Sequence, residues 1–188
     1  MADDDFHTLP DDLPVPVDDG ACDHLTGMKV PSLALPSTAG GTVDLARADR
    51  PFVLYCYPLT GRPGTDLPAD WDDIPGARGC TPQTCAFRDH APEIANLGHD
   101  IFAMSSQATD YQREMADRLD VPFAVLSDAD LAMTRALGLP TFDAGGMTLI
   151  KRLTLIVDGG VIRKVFYPVF PSHEDPSRVV AWLTAHGG

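Results

Sequence analysis

From residue 52 to residue 137 the chain alternates short runs of apolar, β-forming residues with apolar residues at helical spacing, and this restricts the fold more than any other feature. Phe52-Val53-Leu54-Tyr55-Cys56-Tyr57 reads as a buried strand ended by Pro58. Ile101 to Ser105 and Phe123 to Leu126 read as two further strands. Between them Tyr111, Met115 and Leu119 recur at helical spacing, and Asp128 to Leu137 predicts a short helix that Gly138 and Pro140 close. Strands separated by helices of these lengths form a parallel or mixed sheet with helices on its faces.

From Thr148 the pattern changes. Leu149 to Val157 and Val161 to Phe166 predict strands flanking Asp158-Gly159-Gly160, a hairpin turn signal. Asp175 and Pro176 are expected to cap and start a last helix, with Val179, Val180 and Leu183 as its apolar stripe. Near the other end, Ser32 to Leu35 and Thr42 to Leu45 flank Gly40-Gly41 and predict an N-terminal β-hairpin. The resulting order is that of an α/β, thioredoxin-like fold: a central mixed sheet flanked by helices, with an N-terminal β-hairpin extension. Residues 1–24, rich in Asp and Pro, read as an extended acidic arm that carries no chemistry, and residues 25–188 as one domain.

Composition narrows the partners. A chain of 188 residues with 44% hydrophobic content can bury one ordinary core. No apolar run approaches the roughly 20 residues that span a bilayer, and the acidic start (Asp3, Asp4, Asp5) does not resemble a secretory signal. A net charge of -13 argues against nucleic acid and anionic membrane as partners. Four cysteines, Cys22, Cys56, Cys80 and Cys85, are too few for a disulfide framework, so a reducing cytoplasm is the expected setting. Cys56 sits in a strand pattern and is expected to be core; Cys22-Asp23-His24 has no second ligand pair at zinc-like spacing.

The chemistry is concentrated in Gly79-Cys80-Thr81-Pro82-Gln83-Thr84-Cys85, where a loop is predicted to turn into a helix. Pro82 suits the first helical position, with Thr81 as the cap. Cys80 then lies against the unpaired donors of a helix start, where the thiolate, the nucleophilic form, is favoured. If both cysteines are regularly helical, their Cα atoms are about 8.6 Å apart, beyond the roughly 7 Å limit for a disulfide. A bond between them needs the first turn to unwind. The bland alternative is that the thiols simply pack.

Together with Ala86-Phe87-Arg88-Asp89, Leu126-Ser127-Asp128 and Arg152-Leu153-Thr154-Leu155-Ile156-Val157-Asp158, this segment resembles the peroxiredoxins, in the bacterioferritin-comigratory-protein or Q-type branch, over residues 27 to 185. The resemblance implies a thiol peroxidase that reduces hydrogen peroxide and organic hydroperoxides. It implies Cys80 as the peroxidatic cysteine, Cys85 as the resolving one in an intrasubunit disulfide, and thioredoxin or a similar dithiol as reductant. It also implies Arg152 as the cation that stabilises the thiolate, Pro58 as its shield, no cofactor or metal, and a monomer or homodimer. A peroxide-responsive redox sensor without turnover is the competing reading. A thiol-disulfide reductase is disfavoured because there is no Cys-x-x-Cys.

Two features depart from that family. Pro58 and Cys80 stand 22 positions apart where the pattern has seven, so residues 59–78 contain an insertion, read as an ordered loop anchored by Trp71. The family threonine three before the cysteine is Ala77, leaving Thr60 or Thr65 as candidate replacement hydroxyls. In addition, Pro92 is expected to kink or split the cysteine helix. Arg78, a loop arginine, is expected to face solvent.

Overall fold

The computed structural model describes Phe6 and residues 8–187; the rest of the expected arm lies outside the described residues. A hairpin of β1 (Ala34–Pro36) and β2 (Thr42–Asp44) precedes β3 (Phe52–Cys56). Then follow α1 (Cys80–Asn96), β4 (Asp100–Ser105), α2 (Thr109–Arg118), β5 (Ala124–Ser127) and α3 (Ala132–Leu137). Two hairpins, β6 (Thr141–Ala144) with β7 (Met147–Ile150) and β8 (Leu153–Asp158) with β9 (Val161–Phe166), lead into α4 (Asp175–His186).

The main sheet has the order β5-β4-β3-β8-β9, with β3, β4 and β5 parallel and β8 and β9 joined antiparallel. Every residue of β3 is buried, because both faces of this middle strand are covered. Phe52, Leu54 and Cys56 face a cluster with Leu25, Met104 and Leu155, while Val53 and Tyr55 face one with Phe87, Met115 and Val179. Truncating a residue such as Leu54 to Ala would cost about 2–5 kcal/mol. The strand therefore offers a rigid platform from whose carboxyl end the reactive segment departs.

Several local expectations are corrected. The strand predicted over 149–157 is broken at Lys151-Arg152: β7 pairs with β6 in a separate ribbon, whereas β8 enters the main sheet beside β3. The β6–β7 turn is Gly145-Gly146, with φ of 57° and 75°, a signal the sequence reading passed over. The helix expected from Asp128 begins only at Ala132. Before it, Asp128 folds back as a cap, accepting the backbone N–H groups of Met133 (3.0 Å) and Thr134 (2.8 Å). Pro92 does not split α1, which runs through it as one helix. Among the described residues no helix is long and apolar enough to cross a membrane.

Candidate active site

Cys80 is the first residue of α1 and is only 3% exposed. The helix starts two residues earlier than expected, at Cys80 rather than Pro82. Gly79, at φ 106°, turns the chain, and its carbonyl accepts the Gln83 N–H at 3.1 Å. Thr81 is therefore buried inside the first turn rather than acting as a cap. Both the left-handed φ and the neighbours require glycine at 79: a Cβ there would strike Ser172 Oγ and sit 3.0 Å from Leu9.

Across the sheet, the break between β7 and β8 lets Arg152 leave the strand pleat and reach the cysteine loop. It is 4% exposed, so neither a strand interior nor a surface charge describes it. Its Nη2 donates to Cys80 Sγ at 3.2 Å and to the carbonyls of Gly76 (3.2 Å), Ala77 (3.0 Å) and Arg78 (3.1 Å). Its Nη1 donates to Gln83 Oε1. Gln83 Nε2 in turn donates to Asp175 Oδ2 at 2.7 Å, which also accepts the Thr154 hydroxyl at 2.7 Å. A buried guanidinium thus joins the sulfur to a buried carboxylate. Burial pushes Asp175 up to about 6 against the opposing pull of Thr154, Gln83 and Arg152.

Asp175 was expected to cap α4, yet its carboxylate faces inward because the start of α4 packs against α1. Gln83, Thr154 and Asp175 are the members of this network that sequence reasoning missed. Gln83 stood within the motif as an unexplained polar residue. Thr154 lay in an apolar strand, and Asp175 was masked by the ordinary Asp-Pro signature of a helix start.

Ala77 is fully buried and contributes only its carbonyl, which accepts Arg152 and, at 3.6 Å, the Cys80 thiol. Thr60 is buried, but its N–H and hydroxyl both donate to Gln107 Oε1 at 3.1 Å; Thr65 is exposed. Neither lines the cavity at Cys80, which is walled by Phe6, Leu59, Gly61, Leu67, Trp71 and the stretch Arg78 to Thr81. Thr81 supplies the hydroxyl-bearing side chain of that wall. Pro58 is buried at the end of β3 and is not part of the wall. Arg78 does not simply face solvent: it lines the cavity and pairs with Asp72 at 3.1 Å. The loop over residues 59–78 is ordered around Trp71, which is buried with Leu59, Ala77, Ala144 and Leu149. The arm likewise contributes to the site, through Phe6.

Cys85 lies further along α1, half-buried, with its thiol pushed up by burial while Arg88 pulls the other way. Between the two cysteines, Thr84 accepts a hydrogen bond from Tyr55 at 3.2 Å, and the Tyr55 ring stacks on Phe87 at 4.3 Å. No disulfide joins any of the four cysteines. Cys56 is core, as expected; Cys22 is also buried, and His24 Nε2 contacts the Leu137 carbonyl at 2.8 Å.

A cysteine at a helix start beyond the end of a central strand, touched by a buried arginine, defines a redoxin-type thiol site. The redoxin family model matches residues 25–183, and the chain belongs to that family. Within it, the chain is a Q-type peroxiredoxin: it is 30% identical over 142 residues to the chloroplastic peroxiredoxin Q of Sedum lineare, covering 74% of this chain and 67% of that one. The chloroplastic peroxiredoxin Q of Oryza sativa subsp. japonica is also 30% identical, but the match spans 58% of its length. Among solved structures, peroxidoxin BcpB from Mycobacterium tuberculosis superposes with a TM-score of 0.69 at 25% identity, covering 86% of this chain and 97% of that one. The Xanthomonas campestris bacterioferritin comigratory protein gives 0.65 at 21% identity, covering 94% and 100%, a likeness of fold.

Proposed function

We propose that the chain is a two-cysteine thiol peroxidase acting on hydrogen peroxide and organic hydroperoxides. The observation that carries this reading is the Arg152 Nη2 contact with Cys80 Sγ at 3.2 Å, which puts a buried cation on one thiol at a helix start. Alkyl peroxide reduction is described for the Xanthomonas campestris relative.

In the first step the Cys80 thiolate attacks one peroxide oxygen. The O–O bond breaks, Cys80 becomes a sulfenic acid, and the other oxygen leaves as water or alcohol after taking a proton. Arg152 stabilises the anionic sulfur and the charge that develops on the leaving oxygen. Because oxidation removes the anion from Cys80, a buried Arg152 needs another negative partner, and ionised Asp175 provides one through Gln83.

In the second step Cys85 attacks the Cys80 sulfur, forming the S–S bond and releasing water. Two regularly helical residues at this spacing are about 8.6 Å apart at Cα, so the start of α1 must unwind. Unwinding also exposes Cys85, lifting the burial that holds its thiol protonated. Thioredoxin or a similar dithiol then restores both thiols by exchange. This cycle needs no second subunit, so a monomer suffices and a homodimer is compatible; a reducing compartment such as the cytoplasm would sustain it.

The direct test is peroxide-dependent NADPH oxidation coupled through thioredoxin and its reductase, with peptide mapping after one equivalent of peroxide. Turnover and a Cys80–Cys85 disulfide within one chain are expected. Absence of turnover in wild type would return the chain to the sensor reading, and a bond from Cys80 to Cys22 or Cys56 would reassign the resolving role.

A further inference from the structure

The N-terminal arm and the inserted loop, the two parts of the chain outside the family pattern, meet at Cys80. Phe6 is 8% exposed, and its ring lies so close to the Gly61 backbone that a Cβ at 61 would collide with it. Leu9 sits at Gly79, and Pro16 lies 3.5 Å from where a Gly76 Cβ would stand. The arm is tied at its far end by Asp19, which accepts Lys151 Nζ at 2.9 Å and the Tyr167 hydroxyl at 2.8 Å. Three arm side chains thus rest on three glycines of the loop that leads into and immediately precedes Cys80.

With the ring seated, the cavity at Cys80 retains about 10 Å³. Cys80 itself is only 3% exposed, so the seated ring leaves little room for a second molecule beside the sulfur. The cavity is walled by Phe6 together with Leu59, Leu67, Trp71 and Arg78. Of these, Phe6 precedes a stretch whose described residues up to 24 form no helix or strand, whereas Leu59 and Trp71 are part of a packed cluster.

We propose that Phe6, seated on Gly61, and Leu9, seated on Gly79, form a gate over Cys80, and that a molecule the size of a hydroperoxide reaches the sulfur only when Phe6 lifts. The identity of the entrant rests on the peroxidase reading; the gate itself does not. Access then scales with the fraction of open arm, and burying a phenyl ring favours the seated state by about tenfold or more.

The test is the rate of Cys80 alkylation by iodoacetamide, read by peptide mass on the full-length reduced chain, because this reports access whether or not the protein turns over peroxide. Phe6→Ala is expected to raise the rate about tenfold, Gly61→Ala to raise it similarly by excluding the ring, and Phe6→Leu to raise it least. Thermal unfolding checks that each variant is folded. Phe6 lies in no helix or strand, so Phe6→Ala carries the test should Gly61→Ala fail to fold. An unchanged or slower rate in folded Phe6→Ala overturns the gate. In parallel, sulfenic acid formation with cumene hydroperoxide should accelerate more than with hydrogen peroxide. If alkylation accelerates while neither peroxide oxidises Cys80, the gate stands and the peroxidase reading falls.

Discussion

The two thiols of α1 share one helix and differ in almost everything that surrounds them. Cys80 is 3% exposed and touched by Arg152, whose Nη2 also reaches the carbonyls of the cysteine loop and whose Nη1 donates to Gln83. Cys85 packs at the edge of the core cluster that contains Tyr55 and Phe87, and burial pushes its thiol up. The helix alone does not create this difference. It comes from the break in the strand between β7 and β8, which delivers a cation to one end of α1. The two positions are therefore not interchangeable, although both are cysteines on the same element.

The largest effects should come from removing each sulfur in turn. Cys80→Ser should abolish peroxide turnover and sulfenic acid formation together. Cys85→Ser should keep a stoichiometric first oxidation, detectable as a Cys80 sulfenic acid by dimedone labelling, while dithiol-driven turnover collapses. If Cys85→Ser turns over like wild type, resolution runs through another thiol and the contrast between the two sites loses its functional meaning. Next in size is Arg152→Lys, which keeps the charge but loses the planar fork that serves the sulfur and the carbonyls at once. Stopped-flow oxidation of Cys80 should slow by about 10²–10³-fold. A change below about threefold would mean that the arginine is structural only.

Asp175→Asn sharpens the same contrast through pH. The carboxyl is raised from 3.8 to about 6, so the folded state holds its proton more tightly than the unfolded chain does. Stability tied to the neutral acid is fully present below about pH 4 and is lost as pH rises to about 6, amounting to about 3 kcal/mol. Denaturant unfolding of wild type against Asp175→Asn should therefore shift in favour of the variant as pH climbs through that window. If Asp175 is the anion that offsets Arg152 once the sulfur is oxidised, the variant should also lose activity at neutral pH while gaining stability. Parallel pH profiles would remove Asp175 from the network.

Much of this site was visible in the sequence, and what was hidden shares a physical cause. Strands buried on both faces are continuous apolar runs, so β3 and most of β8 could be read directly, although the predicted β8 run extends back through Lys151-Arg152 into β7, and the cysteine motif marks the start of α1. Arg152 was legible only through the family pattern, because the break that frees it from the sheet follows from β7 choosing β6 as partner. Thr141–Ala144, alternately exposed and buried, gives a faint strand signal, and Gly145-Gly146 was the cue that went unread. Asp175 was hidden because a local role, capping, explains Asp-Pro without tertiary contacts. Phe6 was hidden for the complementary reason: a lone aromatic in an acidic, proline-rich arm has no period, and only Gly61 at the other end of the contact gives it a place.

The smallest predicted effect lies in the segment between the two thiols. Tyr55 and Thr84 are fully buried, and their hydrogen bond ties β3 to the part of α1 that the proposed Cys80–Cys85 bond would require to loosen. Tyr55→Phe keeps the ring stacked on Phe87 but removes the donor, leaving the Thr84 hydroxyl without it at a cost of about 1–3 kcal/mol. Part of that cost falls on the closed helix alone, because an unwound turn hydrates Thr84. Disulfide formation after a pulse of peroxide should therefore speed up a few-fold, while the first oxidation, which depends on Arg152, keeps its wild-type rate. An equal change in both steps would show that the two ends of α1 are coupled more tightly than their separate surroundings imply.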